Sequence, residues 1–380
     1  MRSLILFALL VSTISGAEKH AVAPSSGPKP IGPYSPGISV GKYLYVSGQG
    51  ARTPDGKMPP DFEAQTRQCL ENVKAIVVAD GLSLTHLVYS QVYLADSKNM
   101  DQFVKIWKEY FPWGGPARSV IGVNRMPTET PVEINAVAVR NLSERKLVHG
   151  GVISNERYFL DGVYARDVPS AMKKLEQSLK NAGLGLEHLA FVNIYLDPSI
   201  SHSDMNAAYS KHFESGNAPA RATITVAHLP YGGKVKITGV AVTDLRLRKV
   251  VRPRNMAATP NSSPCVWAGE TLYCSTRSGN VPGPNGGVWA ESIENQVKQT
   301  FRNLLDSLEE AGLDFSHVVA SNVYLDKLEE FARMNGVYAK YFSQAPPTRT
   351  TVEPMPSAER KADVNGNWPR LDEISIVAVR

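Results

Sequence analysis

The 380-residue chain has only three cysteines, too few for a disulfide framework to carry its fold. Its one notable apolar run, Leu4 to Ile14, falls short of the ~20 residues that a membrane-spanning helix needs. The excess of charge of one sign is also small: the net charge is +5, which calls for no polyanionic partner. The basic residues Arg246, Arg248, Lys249, Arg252 and Arg254 do gather in one place, but without interleaved aromatics. That reads as the solvated end of a linker strand and not as a nucleic-acid surface. His86, His188 and His317 stand singly, without the paired spacing or second carboxylate of a metal site, so no metal is expected. Ser47 has no His or Asp placed by sequence to activate it, and the Gly-Gly pairs at 114 and 232 are turn signals, not phosphate loops.

At the N-terminus, Arg2 precedes the Leu4–Ile14 run, and Ser15-Gly16-Ala17 offers a small-x-small cleavage site. This pattern predicts a signal peptide over residues 1–17 and a soluble protein exported to the periplasm or secreted; a buried N-terminal strand is the alternative. Cys265 and Cys274 flank Ala268-Gly269-Glu270-Thr271, a two-residue hairpin turn that would set the thiols opposite one another. A cross-strand disulfide and two free buried thiols both remain open. Cys69 lies on the apolar face of a helix and reads as core.

What the chain does have is repetition. Pro116-Ala117-Arg118 recurs as Pro219-Ala220-Arg221 and, altered, as Pro347-Thr348-Arg349. A second marker fixes the phase: Gly81, Gly183 and Gly312 are each followed by a histidine five residues on and a tyrosine twelve on, namely Tyr93, Tyr195 and Tyr324. So long a period makes each repeat a domain-sized body, in keeping with ~100 to 150 residues per domain. The boundaries expected are 24–142, 145–247 and 255–380.

In the first unit, Ile38–Val40 and Tyr43–Ser47 form a hairpin about Gly41-Lys42. Thr66, Cys69, Leu70, Val73, Ile76 and Val77 recur at helical spacing between Phe62 and Asp80, with Gly81 at the C-cap. A strand over Leu87–Leu94, a helix over Asn99–Phe111 and strands over Arg118–Val123 and Val132–Val139 complete a ββαβαββ order. Two amphipathic helices must bury their stripes on one sheet face. Alternation in the last strand sends Val132, Ile134, Ala136 and Ala138 to that face and Glu133 and Asn135 away from it. Glu373 with Ser375, and Lys236 with Thr238, hold the matching positions in the third and second units. An arginine that opens one strand and an acid on the next would then be neighbours on the non-helical side in units one and three, and three such sides would meet about a pseudo-threefold axis. The units also differ: the third has a longer last loop carrying Trp368, and the second has lost a connecting loop and has Asp161 for Ser47.

The segments Gly32-Pro33-Tyr34-Ser35-Pro36, Val46-Ser47-Gly48-Gln49, Gln65-Thr66-Arg67-Gln68, Pro116-Ala117-Arg118-Ser119 and Val132-Glu133-Ile134-Asn135-Ala136 resemble the RidA (YjgF-like) reactive intermediate deaminase family. Units two and three match through their Gly-Leu, Pro-x-Arg and last-strand segments. The resemblance implies an α+β chain of three chorismate-mutase-like domains, fused into an intramolecular pseudo-trimer with sheets inside and helices outside. It further implies hydrolysis of enamines and imines such as 2-aminoacrylate to 2-keto acids and ammonia, without cofactor or metal. By the same resemblance Arg118 would hold the substrate carboxylate, Glu133 would orient water and exchange its proton, and Tyr34 and Ser47 would line the pocket. Ser275, Arg349 and Glu373 take those positions in unit three, with Ser262 in place of Tyr34. Asn206 and Asn335 match a ligand-contacting asparagine where unit one has Val104. Unit two keeps Arg221 but has Lys236 for the glutamate, which marks it as degenerate. The family's pockets lie between subunits, so residues of two units can share a site, and the sequence does not say which. The expectation is an exported imine deaminase, monomeric as one chain, acting on small imino or keto acid carboxylates and not on nucleic acid or membrane. A non-catalytic carboxylate binder and, behind it, an RNA-cleaving protein are the rivals.

Overall fold

The computed structural model describes residues 18–283, 287–342 and 344–380, so the leader expected over 1–17 lies outside the described residues. The first unit comprises β1 (His20–Val22), β2 (Gly37–Val40), β3 (Tyr43–Gln49), α1 (Phe62–Ala79), β4 (Leu87–Leu94), α2 (Met100–Tyr110), β5 (Ala117–Gly122) and β6 (Val132–Val139). The second runs β7 (Arg145–Val148), β8 (Gly151–Ser154), β9 (Arg157–Leu160), β10 (Val163–Ala165), α3 (Val168–Asn181), β11 (Leu189–Leu196), α4 (His202–Tyr209), β12 (Ala220–Thr225) and β13 (Val235–Val242). The third runs β14 (Arg248–Val251), β15 (Cys265–Ala268), β16 (Thr271–Arg277), β17 (Asn280–Val281), β18 (Val288–Trp289), α5 (Ile293–Glu310), β19 (Val318–Leu325), α6 (Phe331–Tyr338), β20 (Thr348–Val352) and β21 (Asp372–Val379).

Each main sheet has the same order, β1-β2-β3-β6-β4-β5 in the first unit. The strands that carry Arg118, Arg221 and Arg349 are thus edge strands. β5 pairs in parallel with β4, and β4 separates it from β6. This corrects the expectation that Arg118 and Glu133 sit on neighbouring strands. A short strand that sequence reading missed also precedes each hairpin: β1, β7 and β14. Basic residues in or just before these strands reach into the preceding unit of a ring. Arg145 donates to the carbonyls of Leu87 and Gly115, Arg248 to those of Leu189 and Asn217, and Lys19 to that of Val318. Arg248 is therefore a tie between units and not part of a solvated linker end.

The helices follow from local rules. The Asp61 carboxylate caps α1 by accepting the Ala64 amide at 2.8 Å, and Asp167 and Ser292 cap α3 and α5 in the same way. Gly81, Gly183 and Gly312 follow the C-cap residues Asp80, Ala182 and Ala311 with φ of +74°, +76° and +74°, a conformation that only glycine adopts cheaply, so the glycine of the repeat marker stops the helix. The histidine of the marker is local too: His86, His188 and His317 each accept a backbone amide of their own turn through Nδ1.

Helix and sheet bury one core in each unit, such as Cys69, Val73, Phe103, Ile134 and Ala138 in the first. The opposite sheet faces share a further core to which all three units contribute, including Tyr43, Phe159 and Tyr273. At its centre the Arg157 guanidinium lies 3.8 Å from the Tyr43 ring centroid and donates to Tyr273 Oη at 3.0 Å, so one side chain ties three units. Tyr93, Tyr195 and Tyr324 meet in another shared cluster, where burial raises the pKa of each phenol. β5 packs on β9, β12 on β16 and β20 on β3, which closes a head-to-tail ring with sheets inside and helices outside. Cys265 and Cys274 are paired across β15 and β16 and form a disulfide. Among the described residues no helix is long and apolar enough to cross a membrane.

Candidate active site at the unit interfaces

One hydrogen bond recurs at every joint of the ring. The amide of Arg349 donates to Ser47 Oγ at 3.0 Å, that of Arg118 to Asp161 Oδ1 at 2.8 Å and that of Arg221 to Ser275 Oγ at 2.8 Å. The serine or aspartate thus holds the arginine strand of the preceding unit. Ser47 and Ser275 are fixed in turn by donating to the carbonyls of Ser35 and Ser263 at 2.6 Å. Next to Ser47 the pairing of β3 with β6 slips between Val46 and Gln49, and β16 slips against β21 between Cys274 and Arg277. Such bulges re-aim side chains, and here they turn the strand end toward the joint.

At the joint of the third and first units a cleft of about 90 Å³ is lined by Tyr34, Gly48, Glu133, Phe331 and Arg349, among others. Arg349 is 3% exposed, and its guanidinium lies between the rings of Tyr34, Phe331 and Tyr338 at 5.1, 5.3 and 4.7 Å from their centroids. Its Nη2 is buried without a hydrogen-bond partner, and so is Asn335 Oδ1. An arginine packed in this way keeps its planar fork in place, with Nη1 engaged only by Met334 Sδ at 4.0 Å and Nη2 unspent, as carboxylate recognition requires. Glu133, 6% exposed, enters the same cleft, and burial pushes its pKa up to about 8 against the opposing pull of Arg349. It arrives by crossing Gly48, where a Cβ would lie 2.0 Å from Glu133 Oε1. Burial also raises the pKa of Tyr34, whose hydroxyl accepts the Ile31 amide at 3.3 Å.

The family model described as Endoribonuclease L-PSP matches residues 24–140, 148–243 and 253–364. The chain belongs to this family, the YjgF/RidA group, three times over. A RutC family protein of Pyrococcus horikoshii is 39% identical over 124 residues, covering 32% of this chain and 98% of the relative. The 2-iminobutanoate/2-iminopropanoate deaminase of Escherichia coli is 37% identical over 123 residues, 31% of this chain and 96% of that protein. The crystal structure of E. coli TdcF with bound serine is 36% identical and covers 32% of this chain and 99% of its own, with a TM-score of 0.32. Each relative thus spans a single unit of this YjgF/RidA chain.

The three joints of this YjgF/RidA ring are not equal. Arg118 does not meet Glu133; it faces the second unit, beside Asp161, Tyr164 and Lys236. Glu133 and Tyr34 of the first unit instead share their cleft with Arg349 of the third, while Ser47 holds the Arg349 amide from behind and Asn335 lies with the Arg349 guanidinium against Gly32. At the joint of the second and third units Arg221 donates to Asn206 Oδ1 at 2.8 Å and lies over Tyr209, with Ser275 on its amide. Glu373 does not join them: it pairs with Arg370 at 3.0 Å and lines a surface groove with His202.

Thr276 accounts for this difference. It stands where the first unit has Gly48, and its Oγ1 donates to the Arg221 carbonyl at 3.2 Å. A side chain at that point fills the route by which Glu133 crosses, so Glu373 turns aside. Sequence reading compared Ser47, Asp161 and Ser275 but not the residues after them, Gly48, Gly162 and Thr276. That column carried the signal. Phe331, Arg370 and Tyr164 were also missed, because nothing in their spacing marks them.

Proposed function

We propose that the cleft between the third and first units hydrolyses 2-imino and 2-enamino acids to 2-keto acids and ammonia. The observation that carries this is the pairing, in one small cleft, of a buried arginine whose Nη2 is unspent and a carboxyl group whose pKa is raised to about 8. The name of the E. coli relative, a 2-iminobutanoate/2-iminopropanoate deaminase, supports the same reaction class. Arg349 grips the substrate carboxylate, and the rings of Tyr34 and Phe331 wall the site. Glu133, protonated at neutral pH, gives its proton to the enamine carbon or imine nitrogen, and the carboxylate so formed takes a proton from the attacking water. The carbinolamine then collapses, with nitrogen leaving as ammonia. Imine plus water thus yields ketone plus ammonia, with no electron transfer and no cofactor. General acid–base catalysis of this kind is worth about 10² to 10⁴ in rate.

The working form is a single chain, its ring closed internally and exported after removal of residues 1–17. The disulfide between Cys265 and Cys274 supports an oxidising destination, periplasmic or extracellular. The test is ammonia and keto acid release from imines generated in place by an amino-acid oxidase. Wild-type protein is expected to exceed the spontaneous rate and Glu133→Gln to match it; equal rates for both would refute the proposal.

A further inference from the structure

The joint between the first and second units is built for different chemistry. It encloses a cleft of about 670 Å³, lined in part by Trp107, Phe111, Arg118, Asp161, Tyr164 and Lys236. The Arg118 guanidinium lies 4.8 Å from the Trp107 centroid and 5.6 Å from that of Phe103, and its Nη1 is buried without a hydrogen-bond partner. Here too an arginine has been stacked and left with donors for a carboxylate. Lys236 holds the position that Glu133 holds in the first unit. It is 1% exposed, crosses Gly162, where a Cβ would lie 2.6 Å from its Nζ, and rests that Nζ 3.5 Å from the Tyr164 centroid. Burial, reinforced by the charge of Arg118, holds its pKa well below the usual lysine range, while Asp161 acts in the opposite sense and is outweighed. Burial and Arg118 thus shift this lysine toward the neutral amine, the form in which a lysine is nucleophilic, and the cleft places its Nζ beside Arg118 and Asp161.

We infer that this cleft binds a 2-keto acid, its carboxylate on Arg118, and condenses the keto carbonyl with Lys236 Nζ to form an imine. The Nζ lone pair attacks the carbonyl carbon, Nζ gives up one proton and the carbonyl oxygen takes one, giving a carbinolamine. The nitrogen then forms the second bond to carbon as the hydroxyl leaves with a proton as water. Amine and ketone become imine and water, without oxidant or reductant. Asp161 lines the cleft, and burial raises its pKa, so it is the carboxyl available to relay these protons. The inference does not rest on the reading of the other cleft, because the keto acid is supplied directly. If both hold, the second cleft captures the class of product that the first releases.

The experiment treats the full chain with pyruvate and sodium cyanoborohydride and maps the adduct by peptide mass. One reduced pyruvate is expected on the Lys236 peptide, ahead of every exposed lysine. It should be absent in Lys236→Met, and Arg118→Ala should need at least about tenfold more pyruvate, as expected for loss of a charge-assisted bond of ~1.5 to 3 kcal/mol. No adduct, or adducts spread over surface lysines with Lys236 unmodified, would overturn the inference. Should Lys236→Met fold poorly, the wild-type pH profile decides. Labelling of Lys236 that reaches half its maximum well below the ordinary lysine pKa of about 10.4 supports the inference, and labelling that tracks that value refutes it.

Discussion

Replacing Gly48 by alanine adds a single methyl group at a backbone position, and it should disable the first cleft nearly as thoroughly as removing the glutamate. A Cβ at that point would stand 2.0 Å from Glu133 Oε1, 2.8 Å from its carboxyl carbon and 3.0 Å from Thr350 Oγ1, whereas real Cβ contacts essentially never fall below 3.0 Å. The carboxyl group must therefore give way by about 1 Å, and misplacing a catalytic group by that much costs about 10²-fold in rate. The fold should accept the change, since Thr276 already occupies the matching position in the third unit and the displaced group is the free end of a side chain. The assay is kcat/KM for imine hydrolysis beside a thermal melt. A fall of about 10²-fold or more at a nearly unchanged Tm is expected. A variant that keeps wild-type activity would show that Glu133 does not act from the position it reaches across Gly48.

The raised pKa of Glu133 predicts both an activity profile and a stability profile. Activity that needs the protonated acid should fall as pH passes about 8. For stability, the native state holds a proton that the unfolded chain releases near 4.5, so the contribution of Glu133 is full below that value and is lost as pH rises through about 8. Glu133→Gln should flatten this slope, by roughly 4 kcal/mol at most, in denaturant titrations at pH 5 and pH 9; parallel slopes for both proteins would contradict it. Reducing the Cys265–Cys274 disulfide should cost about 2 to 3 kcal/mol, read in the same titrations with and without reductant; a stability indifferent to reductant would show that the cross-link does not constrain the unfolded chain. Sedimentation of the chain should give a monomer, because its own three units close the ring; a stable trimer of chains would refute closure.

Much of this architecture was written locally. The Gly, +5 His, +12 Tyr marker gave the phase because each member acts either locally or at the axis, as a helix stop, as a turn acceptor and as a tyrosine that meets its two counterparts. Alternation along Val132–Val139 sent Glu133 away from the helices, and period-two patterning is enough to decide that. The partner of Glu133 was not legible. It depends on the direction in which the ring closes, so Arg349, more than two hundred residues away, completes the first unit's site while Arg118 serves the second. Nor was the fate of Glu373 legible, since it turns on one side chain, Thr276, filling a passage that glycine leaves open elsewhere. Lys236 read as a loss when seen only as a missing glutamate; with Arg118 and Asp161 around it, it is a buried amine in a cleft of its own.

The most direct test of the central claim, that one acid–arginine site is assembled across the third and first units, is keto acid release from enzymatically generated imines by four proteins side by side: wild type, Glu133→Gln, Arg349→Ala and Glu373→Gln. Glu133→Gln and Arg349→Ala are each expected to bring the rate to the spontaneous level, although Glu133 and Arg349 belong to different units, while Glu373→Gln, which alters a side chain paired with Arg370 outside the cleft, should keep the wild-type rate. Full activity in Arg349→Ala, or loss in Glu373→Gln equal to that in Glu133→Gln, would contradict it.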